Sequence, residues 1–174
     1  GMVTPEIVAK AICDNTAIVS VMYANNEIGT INPIKEIAEI CRVNKILFHT
    51  DAVQAAAYLP LDVNELGVDM MSLGAHKFYG PKGVGALYVR KGTPLVPHLT
   101  GGGQEFNLRA GTQNVPYIVG FAEALRLTEE EREQRAAHIQ PLRDKIIGTV
   151  LESIPDSQLT GDLESRLPHH ASFA

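Results

Sequence analysis

The chain has 174 residues, enough for one ordinary domain with its own core, and 45% of them are hydrophobic, as suits a globular protein. A formal charge of −5 leaves no basic footprint, which argues against nucleic acid as a partner. No apolar run is long enough to cross a bilayer, so no membrane role is expected, and the start Gly1-Met2-Val3-Thr4-Pro5 lacks the basic and apolar regions of a signal peptide.

A glycine ahead of a methionine reads as the scar of a cleaved tag. Thr4-Pro5 reads as an N-cap followed by proline at the first helical position, opening a helix to about Cys13. Ala17 to Met22 is a nearly continuous apolar run, which predicts a strand buried on both faces. Asn25-Asn26-Glu27-Ile28-Gly29 is a turn. Pro33 starts a helix with Ile34, Ile37, Ala38, Ile40 and Cys41 near helical spacing. Cys13 and Cys41 are too few and too far apart for a disulfide framework or a zinc site. Both fall in apolar helical patterns, where a free thiol acts as a small buried hydrophobe, and such usage fits a reducing cytoplasm.

Ile46-Leu47-Phe48-His49 predicts a second strand, ending at Asp51. After a short connection over Leu61 to Leu66, Asp69 to Leu73 predicts a third strand, ending just before His76-Lys77. Gly83 to Val89 returns as a fourth. This order predicts an α/β sheet that is at least partly parallel. In such sheets ligands collect beyond the carboxyl ends of the strands, where Asn25-Asn26, Asp51 to Gln54 and His76-Lys77 all fall. Gly101-Gly102-Gly103 is a flexible loop. Asn114-Val115-Pro116 starts a long helix, in which the charge run Glu129 to Arg135 reads as a solvated face with i,i+4 pairs. Apolar spacing continues to Val150, and His169 to Ala174 reads as the start of a strand, so the chain reads as cut from something longer.

Lys77 alone would be a surface lysine. After an apolar strand and a histidine, and before the rigid Tyr79-Gly80-Pro81-Lys82-Gly83 turn, it becomes a candidate for a desolvated amine that attacks an aldehyde. A lysine that forms a Schiff base and an aspartate that holds a pyridinium nitrogen are the groups that pyridoxal phosphate (PLP) chemistry most needs. Asp51 either caps a helix beginning at Ala52 or faces such a ring nitrogen, where the charge pairing is worth roughly 1.4 to 4 kcal/mol. Gln54 either hydrogen-bonds a phenolate oxygen or is an exposed amide. The triple glycine could bring backbone amides to an anion, and Arg109-Ala110-Gly111-Thr112 offers a cation and a hydroxyl for phosphate.

The series Ala24-Asn25-Asn26-Glu27-Ile28-Gly29, His49-Thr50-Asp51-Ala52-Val53-Gln54, Ala75-His76-Lys77-Phe78-Tyr79-Gly80-Pro81-Lys82-Gly83, Gly101-Gly102-Gly103-Gln104-Glu105 and Arg109-Ala110-Gly111-Thr112 resembles the cysteine desulfurases, PLP enzymes of the class V aminotransferase superfamily. The resemblance covers nearly the whole chain and points to the iron–sulfur or nitrogenase branch. It implies the central part of the large α/β PLP-binding domain over residues 1–134 and the start of a smaller α/β domain over 135–174. It implies that Lys77 bonds the cofactor and is the catalytic base, that Asp51 holds the pyridinium nitrogen and that Gln54 contacts the ring hydroxyl oxygen. It further implies that Asn26 lies near that oxygen and the substrate carboxylate, that His76 contacts the phosphate, and that Thr112 reaches the phosphate of the other subunit in a homodimer. L-cysteine is the implied substrate and a scaffold protein the implied sulfur acceptor.

Some parts of that pattern do not fall within these residues. The loop cysteine and the carboxylate-binding arginine are expected beyond residue 174, and neither Cys13 nor Cys41 matches the former. A ring-stacking histidine and a phosphate-binding threonine are expected before residue 1. Gly74 stands where many relatives carry a phosphate-binding serine. The chain by itself is therefore expected to lack desulfurase activity. A selenocysteine lyase or another class V aminotransferase would share these motifs. A non-catalytic scaffold would be marked by loss of Lys77 or Asp51, and both are present.

Overall fold

A computed structural model describes residues 1–174. Thr4 caps helix α1 (Pro5–Ala11), its hydroxyl accepting from the Ile7 amide, and Pro5 occupies the first turn, where its missing N–H costs nothing. Strand β1 (Ile18–Met22) follows, then helix α2 (Ile34–Val43), strand β2 (Leu47–Asp51), the single-turn helix α3 (Val63–Leu66) and strand β3 (Met70–Gly74). α3 arises within the segment expected to be a mere connection, because Asp62 accepts from the Asn64 and Glu65 amides and so starts a helical turn. A 3₁₀ turn (Ala75–Lys77) leads to strand β4 (Gly85–Val89), and the long helix α4 runs over Val115–Ser153.

The sheet order is β1-β2-β3-β4, with the first three strands parallel and β4 antiparallel to β3. One face is the core. Ile34, Ile37, Ala38 and Cys41 of α2 pack on it with Phe48, Met71 and Leu167, all of them buried. The other face, carrying Ser20, His49, Asp51 and Ser72, is only partly covered. β1 is therefore not buried on both faces as its apolar run predicts: Val19 and Val21 pack on the core, while Ile18 is 47% exposed. Cys13 also departs from expectation. It lies past the end of α1, exposed, with its amide and thiol beside the Thr16 hydroxyl, whereas Cys41 is fully buried.

Helix α4 carries most of the charge run on its solvated side, where Arg126 pairs with Glu123 and Glu130 and Arg132 with Glu129, while Arg135, paired with Glu131, turns inward. Exposed pairs of this kind contribute little to stability. The helix is attached by its other side: Phe121 meets Phe78 edge-on at 5.2 Å, Arg135 donates to Ala57 O at 2.9 Å, and Arg143 donates to Leu167 O at 3.1 Å. After α4 the chain returns to the turn that follows β1. Ile31 donates to Ser165 O and Leu167 to Gly29 O, and the buried Arg166 guanidinium donates to the carbonyls of Thr160, Asp162 and His170. The expected terminal strand is reduced to a single bridge, Leu159 to Phe173.

Two outcomes follow from this packing. A thiol reagent should label Cys13 quickly and Cys41 only on unfolding, since burial also pushes the Cys41 thiol up to about 11. Rapid labelling of both would contradict the core described. Leu167→Ala should cost about 2–5 kcal/mol in urea unfolding, because the deletion leaves a cavity where the returning segment plugs the core.

Candidate active site

The register of the parallel strands sets the site. Met22, Asp51 and Ser72 stand side by side at one level, and the chain leaves each strand in the same direction. Tyr23 donates to Asp51 O at 2.8 Å and Ala52 to Ser72 O at 3.0 Å, which carries the ladder one step past the strand ends. Beyond this rim come the Asn25–Gly29 turn, the Ala52–Gln54 turn and the 3₁₀ turn that bears Lys77.

Each turn has its own lock. The Asn25 side chain accepts from the Glu27 and Ile28 amides, so Asn25 builds the first turn and leaves Asn26 exposed. Gly29 has φ +74, and a Cβ there would meet the His170 ring at 2.6 Å, so only glycine fits. Asp51 Oδ1 accepts from the Val53 amide at 2.9 Å, which fixes the carboxylate and leaves its second oxygen without a protein partner. The Lys77 turn is pinned by Phe78, fully buried between Ala56, Ala57 and Phe121. Gly80 completes this turn, since a Cβ there would lie 2.8 Å from the Ala75 methyl. His76 and Lys77 are consequently held on the exposed side.

One step below Asp51 on the same face, His49 bridges the sheet. Its Nδ1 is 2.8 Å from Ser20 Oγ and its Nε2 is 2.8 Å from Ser72 Oγ. Burial holds its pKa below the usual value, and the Asp51 charge works in the opposite direction. This three-residue ladder is absent from the sequence reading. Strict alternation along β2, which places His49 and Asp51 on one face, is the signal that could have found it.

The C-terminal segment adds two further histidines. His170 Nε2 donates to Asn26 O at 3.0 Å, and His169 Nε2 lies 3.4 Å from Gln54 Nε2 while its ring stacks on Tyr58 at 4.3 Å. Burial, then the neighbouring His170 and Lys77, push His169 down to about 4. Gln54 Oε1 and the Nδ1 atoms of His169 and His170 are buried without any hydrogen-bond partner. The positions of 169 and 170 just after Leu167-Pro168 give no local sign of this role.

The fold thus collects Asn26, Asp51, Gln54 and Lys77 at one end of the sheet. His76 joins them on the exposed side of the Lys77 turn. Thr112 does not: it is exposed in the loop before α4 and hydrogen-bonds to none of them. A groove of about 700 Å³ exists at the opposite end of β2, but its Arg42 is paired with Glu39 and its Arg90 with the Val63 and Val68 carbonyls. The donor set at the rim suits PLP. It has an amine, a carboxylate with one uncommitted oxygen, and an amide whose buried oxygen has no hydrogen-bond partner, beside an exposed imidazole. An unpartnered buried polar atom costs about 1–3 kcal/mol, so its persistence at Gln54 favours a polar ligand there.

The sequence model described as Aminotransferase class-V matches residues 1–174. A cysteine desulfurase IscS of Dictyoglomus turgidum is 48% identical over 174 residues, which are all of this chain and 44% of that protein. Among solved structures, a NifS-like protein has a TM-score of 0.92 at 43% identity, over 99% of this chain and 47% of its own. A structure described as SspA in complex with cysteine has a TM-score of 0.70 at 45% identity, over 72% of this chain and 37% of its own. The chain spans less than half the length of these relatives.

The depressed His169 has a thermodynamic consequence. The unfolded imidazole binds its proton near pH 6.5 and the folded one only near 4, so protonation favours unfolding as pH falls between those values. Stability present above pH 6.5 should be lost across that window, by up to about 3 kcal/mol. Urea unfolding of the parent and of His169→Gln at pH 7 and pH 4.5 checks this, since carboxylate contributions cancel in the difference. An equal decline in both would exclude a buried neutral His169.

Proposed function

The chain belongs to the aminotransferase class-V family, and on that premise we propose that it carries the cofactor-holding core of a PLP-dependent cysteine desulfurase. The reaction takes sulfur from L-cysteine, leaves L-alanine and delivers the sulfur as an enzyme persulfide toward iron–sulfur cluster assembly on an acceptor scaffold. The observation that carries this reading is the convergence of Asn26, Asp51, Gln54 and Lys77 on the carboxyl rim of three parallel strands, with a buried unmet hydrogen bond at Gln54.

Bound PLP supplies an electron sink for the charge left when a proton departs from the carbon beside the amine. The residues of the chain then have separate tasks. Lys77 Nζ would hold the cofactor and would serve as the base that accepts the α-proton. Asp51, fixed through Oδ1 by the Val53 amide, offers its other oxygen to the ring nitrogen and keeps that nitrogen protonated. Gln54 meets the ring oxygen, Asn26 the same oxygen and the substrate carboxylate, and His76 the phosphate. Thr112, exposed on its loop, is assigned to the phosphate of a second copy in a homodimer. Exposed apolar side chains on the same loop and helix, among them Phe106 at 92% and Val119 at 61%, support an interface there.

The cysteine that receives sulfur is assigned outside these residues. Cys41 is buried, and Cys13 sits in the turn that leads into β1, at the end of the sheet opposite Asp51. We place the start of the smaller domain near Gln134. In support, Arg135 is the last residue of α4 that bonds to the sheet side of the molecule, and Arg143 bonds instead to the C-terminal segment. We place the protein in the cytoplasm, a setting that its two free thiols support.

The decisive test is a visible absorbance titration with PLP, followed by borohydride reduction and peptide mapping. The label should fall on Lys77 and disappear in Lys77→Ala. Asp51→Asn should weaken binding by about tenfold or more, given a charge pairing of one to three pKa units. In the full-length protein Lys77→Ala should abolish sulfide release from L-cysteine, and the 174-residue chain should release none above that control. Label scattered over other lysines would refute the assignment of the site.

A further inference from the structure

The contact between His169 and Gln54 admits two hydrogen-bond arrangements. A glutamine amide can turn by half a turn, and a neutral imidazole can carry its proton on either nitrogen. In the first arrangement the Gln54 amide N–H donates to a bare His169 Nε2. The imidazole proton then sits on Nδ1, a buried atom without a partner, and Gln54 Oε1 is left equally alone. In the second, His169 Nε2–H donates to Oε1. Nδ1 becomes a bare acceptor, and the amide N–H₂ moves to the buried position that Oε1 held.

Which arrangement wins depends on what lies beside Gln54. With no acceptor there, the second strands the amide N–H groups, and the first is preferred. With an acceptor oxygen there, the second satisfies an amide N–H and also removes the stranded Nδ1–H. Each buried donor left unmet costs about 1–3 kcal/mol, so one ligand oxygen is enough to reverse the preference. The ring itself is not free to turn, because it is stacked on Tyr58 with planes 20° apart. It also stays neutral, because burial first, and then the neighbouring His170 and Lys77, disfavour a second proton on it. His170 provides an internal control. Its Nε2 faces the Asn26 carbonyl, which only accepts, so its proton stays on Nε2 whatever is bound.

We propose that His169 is a positioning residue for Gln54: an acceptor oxygen bound beside Gln54 turns the amide by half a turn and moves the His169 proton from Nδ1 to Nε2. The proton leaving Nδ1 goes to water and another is taken up at Nε2, so the charge does not change. The inference rests on the reading of Gln54 as the contact for the PLP ring oxygen.

The test is ¹⁵N NMR of histidine-labelled full-length protein without and with PLP, read beside the visible band of the lysine-bound cofactor. The expected result is a change at His169 from the Nδ1–H to the Nε2–H tautomer, with His170 remaining Nε2–H in both. A visible band with no change at His169 would overturn the inference and leave the proposed function standing. Absence of the band would overturn both. A second measurement uses His169→Phe, which keeps the stack on Tyr58 but cannot hold the amide. It should bind PLP about fivefold to tenfold more weakly, the loss of about one hydrogen bond, and should shift the pH midpoint of the cofactor's colour change. His169→Gln should recover part of both. Affinity and midpoint unchanged in His169→Phe would refute the positioning role.

Discussion

The parallel register of β1, β2 and β3 is the constraint on which the site depends. Strands that end at one level, pointing one way, hand three separate loops to the same place. Asn26, Asp51 and Lys77 lie far apart in the sequence and have no local reason to meet. They meet because each lies at or a few residues past the end of an apolar strand, and the hydrogen-bond ladder holds those strands in step. A slip of one residue in β2 would send Asp51 and His49 to the core face and bring Phe48 and Thr50 out, which burial of Phe48 forbids. Core packing on one face of the sheet thus fixes the chemistry presented on the other.

Much of this was legible because it is written in local patterns. The apolar runs before Asp51 and Lys77 gave the strands, the proline and threonine signals gave α1, and the strand ends gave the site. What was not legible depends on contacts between distant segments. The second face of β1 is open, since nothing in the apolar run Ala17–Met22 says which side will be covered. Cys13 looked like a core residue by spacing, yet α1 ends at Ala11 and the thiol falls just past the packed turns. His169 joins the site only because Arg166 and Leu167 anchor the returning chain against residues 29–31, a pairing no local rule encodes.

The unmet polar atoms are similarly uneven in distribution. Most buried polar groups here are committed: Thr50 to Val21 O, Asn32 to Met22 O and the Val3 amide, Arg166 to three carbonyls. Three of the four uncommitted buried atoms belong to Gln54, His169 and His170, on the rim where the strand ends converge. A fold that satisfies its interior elsewhere and leaves hydrogen-bonding capacity at one place has the physical signature of a binding site.

Gly74 shows how the same rim can adapt. Its backbone is extended, with φ −133 and ψ 117, so nothing in the conformation demands glycine. A Cβ would lie 3.3 Å from both Val53 Cγ1 and His76 Cε1. Val53 is half-buried on a backbone that its amide ties to the Asp51 carboxylate, so it is the less free of the two to give way. His76 is exposed and can. A serine here would therefore displace the imidazole, whereas glycine lets the ring lie close over the strand end.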